Sequence, residues 1–327
     1  MLLIALWYFA SVVCNQSSKV LLDSLDAQSL TLAQLLVSAG CGVAVILCVR
    51  MWSSEEIGSI GFRSRDQLVD TALLSAAFTG GFVTLNACMQ QMHVSLVMVL
   101  RAAEPLTTLA LGAAFFGASV PVRQSAALLA IVAGCALSAA GPFQTSGAGI
   151  ALASLSNVCF SLRGLLGKRL ARRHGTGALE SFFQLCALGA VLQAGLLLVV
   201  AGPSAFTPLV SALTGPGAAE TCRLVLVNGA SFYAYLQLSW VCLGRMSAVS
   251  HSVRRHRLEP APHGLFPCYL AYADLEDDGR SPHQVANSLR RPVTVIAALL
   301  YAPVALSPTN LAGIVLACAA AAAYGLL

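Results

Sequence analysis

Near the carboxyl end of the chain, Asn287 to Leu300 read NSLRRPVTVIAALL, which sets two adjacent arginines, Arg290 and Arg291, against an apolar run with no acidic residue in it. A third arginine of this kind, Arg101, stands in VMVLRAAEPLTT three residues before Glu104. A charge at the centre of a membrane helix costs at least ~2.5 kcal/mol on the mildest scale, so each of these groups must pair, reach the surface or face water. An Arg–Glu pair three apart lies on one helix face and can hold most of the charge of Arg101. Arg290 and Arg291 have no such neighbour. Guanidinium forks match phosphate oxygens bidentately, so the three brought together would bind an anion of that chemistry. The alternative is a pair that anchors a helix end among lipid headgroups, and spacing alone leaves both open.

The elements that must position these residues follow from composition. Of 327 residues, 57% are hydrophobic and 10% charged, with a mean hydropathy of +0.77, which excludes a soluble core under a charged surface and predicts an all-α multi-pass membrane protein. The net charge of +5 is spread one cluster per loop, which excludes the basic stripe of a nucleic-acid binder. Eleven cysteines fall singly inside apolar segments, without CxxC or His/Cys ligand spacing, and are expected to be small buried hydrophobes. With no HExxH, GxSxG or paired membrane aspartates either, no enzyme, catalytic residue, metal or cofactor is expected. The opening MLLIALWYFASVVC has no charged leader region or cleavage site and reads as a first membrane helix, with internal targeting or an incomplete amino terminus as the two explanations.

Measured against the roughly 20 apolar residues needed to cross the hydrocarbon, ten spans emerge. They lie near 1–22, 28–49, 67–91, 94–116, 121–141, 147–169, 178–201, 221–243, a split ninth (246–252 with 285–302) and 308–327. Arg50, Arg63 and Arg65, then Arg123, then Lys168, Arg169, Arg172 and Arg173, then Arg245 all follow even-numbered spans, which puts both termini on the cytosolic side or its equivalent. Lys19 and Arg163 stand near span ends and are expected to snorkel.

Two windows, EPLTTLALGAAFFGASVP from Glu104 and RPVTVIAALLYAPVALSP from Arg291, share a Pro, a Thr two residues later and a second Pro sixteen residues after the first. The first window opens the pair of spans four and five, and the second the pair nine and ten. Two halves of five spans, about 1–141 and 147–327, would face opposite ways within a single transporter domain, a 5+5 inverted repeat with its site near the midplane. Chance matching in low-complexity apolar sequence is the other reading.

Together, WYFASVVCNQSSKVLL, VMVLRAAEPLTT, SLRGLLGKRL, FYAYLQLSWVCLGRMSAVSHS and VANSLRRPVTVI resemble the triose-phosphate translocator family of the drug/metabolite transporter superfamily, which also holds nucleotide-sugar transporters. The resemblance implies a carrier without enzymatic activity that exchanges a sugar phosphate or similar organic phosphate for phosphate. The alternative it leaves is a nucleotide-sugar antiporter of the Golgi or ER. In the family, a Lys before the AxEP turn and a Lys-Arg pair in the ninth helix bind substrate phosphate; those positions are Arg101, Arg290 and Arg291 here. Tyr235 matches a substrate-facing Tyr, and Lys19 is a candidate for the cavity rim. Both family lysines are arginines in this chain, and a family His is Met98, which puts the substrate's identity in doubt. The implied partners are the organic phosphate, its counter-substrate, the bilayer and a second copy of the chain as an optional homodimer. The implied membrane is a Golgi or other endomembrane, or a plastid inner envelope.

A second departure is larger. Residues 253–284, with four prolines and nine charged residues, interrupt the ninth helix where the family runs straight through. This insertion is too polar to span, and is either a native excursion or a translated intervening sequence.

Overall fold

The computed structural model describes residues 2–52, 61–116, 122–140, 146–254, 282–301 and 306–326, and these are all-helical apart from turns and connections. Its exterior is apolar, and its interior holds polar side chains beside an apolar core. Val199, Leu129 and Leu300 are more than two-thirds exposed, while Ser18, Gln34, Asn86 and Asn228 are almost wholly buried. An apolar solvent around a polar interior explains both facts at once.

The first helices are α1 (Leu2–Leu21), α2 (Ala27–Trp52) and α3 (Arg65–Gln91). Asp26 accepts the amides of Gln28 and Ser29 to start α2, and Ser64 caps α3 by accepting the amide of Gln67. The fourth expected span is built in three pieces: α4 (Val94–Leu100), a 3-10 turn (Arg101–Ala103) and α5 (Glu104–Phe116). Then come α6 (Val122–Ala139), α7 (Gly147–His174) and α8 (Ala178–Ala201). Ser146 caps α7 at its start, and Gly175, at φ +58°, ends it in the left-handed conformation that glycine adopts without steric penalty. A short α9 (Thr207–Thr214) leads to α10 (Ala218–Arg254), followed by α11 (Pro282–Tyr301) and α12 (Pro308–Leu326).

Among the described residues, five helices are long and apolar enough to cross a membrane: Ala27–Trp52, Arg65–Gln91, Val94–Leu111, Gly147–Ala171 and Ala178–Ala201. Shorter apolar helices cover Ser125–Ala139 and Pro308–Tyr324. Because α10 runs unbroken to Arg254, it joins the eighth expected span to the stretch 246–252 that was assigned to the ninth. The core of the expected insertion, 255–281, lies outside the described residues.

Packing repeats in pairs. The helix α3 lies along α7 as α1 lies along α10; α3 meets α8 as α10 meets α2; α6 packs on α12 and α4 on α11. The α6/α12 crossing is so close that a methyl group at Gly134 would run into the backbone of Ala317, and one at Gly313 into that of Ser138. Small residues on both helices are what allow this approach. At the centre, Phe82 stacks edge-on with Phe160 and Phe232 at ring separations of 4.9 and 4.6 Å, tying α3, α7 and α10 together. Beside them runs a buried amide network: Gln34 donates to Ser18 and Asn228, and Asn86 donates to Gln34 and Thr31. Polar groups that are all mutually satisfied at this depth fix the register of α1, α2, α3 and α10.

Candidate functional site

The site starts from a backbone irregularity. Pro105, the second residue of α5, has no N–H to donate to the carbonyl of Arg101, so the α-ladder breaks there and a 3-10 turn replaces it. The amide of Glu104 still reaches the Arg101 carbonyl. The remaining acceptor capacity is taken by Arg291, whose Nη1 donates to the same oxygen. One proline therefore creates the docking point for an arginine on α11.

The side chains converge at the same place. Glu104 Oε2 accepts from Arg101 Nη2 at 3.2 Å and from Arg291 Nη2 at 3.0 Å. The Arg101 guanidinium also lies 4.2 Å from the centre of the Phe160 ring. Arg290 points the other way around α11. Its Nη1 donates to Ser11 Oγ at 3.4 Å, and its guanidinium stands 5.5 Å from the Trp7 ring centre and 5.6 Å from that of Tyr235. Among the described residues no carboxylate lies within ion-pair distance of Arg290. Thr294, one turn further along α11, donates to the carbonyls of Arg290 and Arg291 and satisfies backbone near Pro292.

These groups surround a small cleft, partly open to solvent. Arg101, Arg290, Arg291 and Tyr235 line it, joined by Ser11, Asn15, Met98 and Thr294. Arg290 and Arg291 therefore turn into the bundle, and the headgroup-anchor alternative does not describe them. The fifth expected residue, Lys19, does not line the cavity; its ammonium donates to the Met89 carbonyl at 2.6 Å, one helical turn beyond Asn15 on α1.

Arg163 departs from expectation. It does not extend to the membrane surface but turns onto the rings of Phe160 and Phe78, at 5.3 and 5.9 Å. Its neighbours on α7 hold α5 and the end of α4 in place: Ser161 Oγ and Thr107 Oγ1 are 2.7 Å apart, and Asn157 donates to the Leu100 carbonyl. Ser11 and Asn15, also unnamed by sequence reasoning, were visible only as polar residues spaced i, i+4 in an apolar helix. Of the described residues, no His, Cys, Asp or Glu group is arranged to hold a metal.

Chemically, three guanidiniums line one cleft, and two of them share a single carboxylate. An anion with several oxygens completes such an arrangement, and a guanidinium edge accepts phosphate or carboxylate oxygens in pairs.

Comparison with known proteins agrees with this chemistry. A model of the Triose-phosphate Transporter family matches residues 1–256. The phosphoenolpyruvate/phosphate translocator 3, chloroplastic, of Oryza sativa subsp. japonica is 25% identical over 313 residues, covering 95% of this chain and 70% of the rice protein. The triose phosphate/phosphate translocator, non-green plastid, of Brassica oleracea var. botrytis is 26% identical over 254 residues, which is 77% of this chain and 61% of the other. The chain thus spans between three-fifths and three-quarters of the length of these two relatives. A solved crystal structure superposes with a TM-score of 0.53 at 16% identity over 98% of this chain and 92% of the other, a likeness of fold. The family match covers the helices that carry Arg101, Glu104 and Tyr235, and on it this multi-pass membrane protein belongs to the Triose-phosphate Transporter family.

Proposed function

We propose that this chain is a secondary antiporter that exchanges a phosphorylated metabolite for inorganic phosphate by alternating access. The observation that carries the reading is the cavity itself, with Arg101, Arg290 and Arg291 on its wall and Glu104 as the carboxylate shared by two of them. In this reading the three guanidiniums bind the phosphate group and Tyr235 donates a hydrogen bond to it, while Lys19, bonded to the Met89 carbonyl, has no part in the binding. The relatives named above are translocators of phosphoenolpyruvate and triose phosphate against phosphate, which supports the same substrate class here. Nothing favours the nucleotide-sugar alternative.

Exchange follows from the charge balance. An empty site carries three positive charges against one negative through the closed intermediate, which is unfavourable in a low-dielectric interior. A bound phosphate group offsets the excess, so loaded carriers reorient and empty ones stall.

Ten spans in a 5+5 inverted repeat complete the proposal, with both termini on the cytosol-equivalent side. The paired packing supports it: exchanging the first five expected spans for the last five maps the α3/α7 contact onto α10/α1, and leaves α6/α12 and α4/α11 unchanged. The plastid addresses of the relatives support an envelope membrane over an endomembrane.

The test is uptake into proteoliposomes. Vesicles preloaded with phosphate should take up labelled triose phosphate or phosphoenolpyruvate, and empty vesicles should not. Uptake indifferent to internal phosphate rejects antiport, and preference for internal nucleoside monophosphate revives the nucleotide-sugar reading.

A further inference from the structure

We propose that Trp7 is a positioning residue, whose indole face, together with the Tyr235 ring, orients Arg290 so that its N–H edge is presented to the anion. The proposal rests on the functional reading above and adds to it a residue that never touches substrate.

The argument begins with the contrast between the two adjacent arginines. Arg291 is held through its donors: one nitrogen on the Arg101 carbonyl, the other on Glu104. Each bond that holds it also occupies an N–H that phosphate would want. Arg290 is held differently. Trp7 and Tyr235 approach its guanidinium at 5.5 and 5.6 Å from their ring centres, and Ser11 takes one N–H at 3.4 Å. A ring attracts a cation through its π face, and Trp does so most strongly. The rings carry no net charge, and Ser11 is the one hydrogen-bond acceptor of Arg290 among the described residues. Aromatic contacts thus stabilise the charge of Arg290 without neutralising it.

Trp7 stands behind Arg290, away from the cleft: it is fully buried and does not line the cleft, whereas Tyr235 does. Trp7 belongs to α1 and Tyr235 to α10, helices that pack along each other, so the pair forms one wall against which Arg290 is set. Lost on one side, the long arginine side chain regains rotamer freedom, and anion binding must then restrict it again.

The experiment is a phosphate titration of the purified full chain, by ligand-induced thermal shift, combined with phosphate/phosphate exchange in proteoliposomes. Trp7→Leu should weaken phosphate binding about 20-fold and Trp7→Phe about 3-fold, since a phenyl face holds a cation less well than indole. Exchange at saturating phosphate should stay within about 2-fold of wild type, so the loss appears in KM and not in kcat. Unchanged binding in Trp7→Phe overturns the proposal, even if Trp7→Leu does not fold. A fall in kcat at constant KM would make Trp7 a packing residue and overturn it equally. Wild-type protein that binds no phosphate overturns the functional reading and this inference together, whereas binding by wild type with equal binding by the variants overturns this inference alone.

Discussion

Replacing Glu104 by Gln removes the single carboxylate that Arg101 and Arg291 share while keeping its shape. The two contacts are 3.2 and 3.0 Å long, and the three side chains are 10 to 18% exposed. At an effective dielectric of about 20, each pair attracts by about 5 kcal/mol before desolvation is counted. Deleting one partner of a buried pair leaves uncompensated charge and typically costs 3–5 kcal/mol, and partial exposure puts this site at about 3 kcal/mol. Without phosphate, Glu104→Gln should therefore unfold markedly earlier than wild type in detergent. The same substitution vacates N–H groups that phosphate can use, so phosphate affinity should rise about 10-fold, equivalent to about 1.4 kcal/mol. Added phosphate should then recover more thermal stability in the variant than in wild type. If Glu104→Gln melts with wild type and gains the same shift from phosphate, Glu104 is neither the counter-charge nor a competitor, and the charge-balance account of exchange fails with it.

Arg290→Ala and Arg291→Ala should each lower phosphate exchange by at least about 100-fold while the protein still inserts, since truncating a charged partner costs about 2–5 kcal/mol; Lys at either position should retain more activity, and wild-type exchange in an Ala variant would reject the role. At the far end of α3, Asp70 accepts from Arg173 and His174 at 3.1 and 3.0 Å and pairs with Arg169. Asp70→Asn should destabilise the chain by about 2 kcal/mol with little effect on phosphate KM, and a changed KM would place that cluster in the transport path. Gly313→Leu should disrupt the α6/α12 crossing and cost about 3 kcal/mol in an unfolding assay, and normal stability would show that the helices can separate freely.

Much of the fold was legible because its signals are local. Runs of apolar residues predicted the helices, and Pro105 with Pro292 marked the two segments that meet at the site. That Arg101 pairs with Glu104 followed from their spacing on one face. The engagement of Arg291 with Glu104, and of Arg290 with Trp7, was not legible, because it depends on how far α11 is rotated against α4 and α1. Sequence spacing carries no information about that angle. Arg163 was misread for a related reason: distance from a helix end suggested snorkelling, but Phe78 and Phe160 come from two different helices and offer a closer partner. The mutual satisfaction of Ser18, Gln34, Asn86 and Asn228 was not legible either, because it joins residues far apart in the chain.

The Arg101 carbonyl, which Pro105 deprives of its α-helical donor, has one more consequence. The bond it receives from Arg291 is made to main chain, and main chain is the same whatever residue occupies position 101. Changing that side chain alters the charge, reach and selectivity of the site, yet leaves the strap between α4 and α11 in place. The scaffold and the ligand-reading group are thereby uncoupled at a single residue. In the proposed carrier, cargo preference could be retuned at position 101 without loosening this joint, whereas losing Pro105 would close the helical ladder and compete for the same carbonyl.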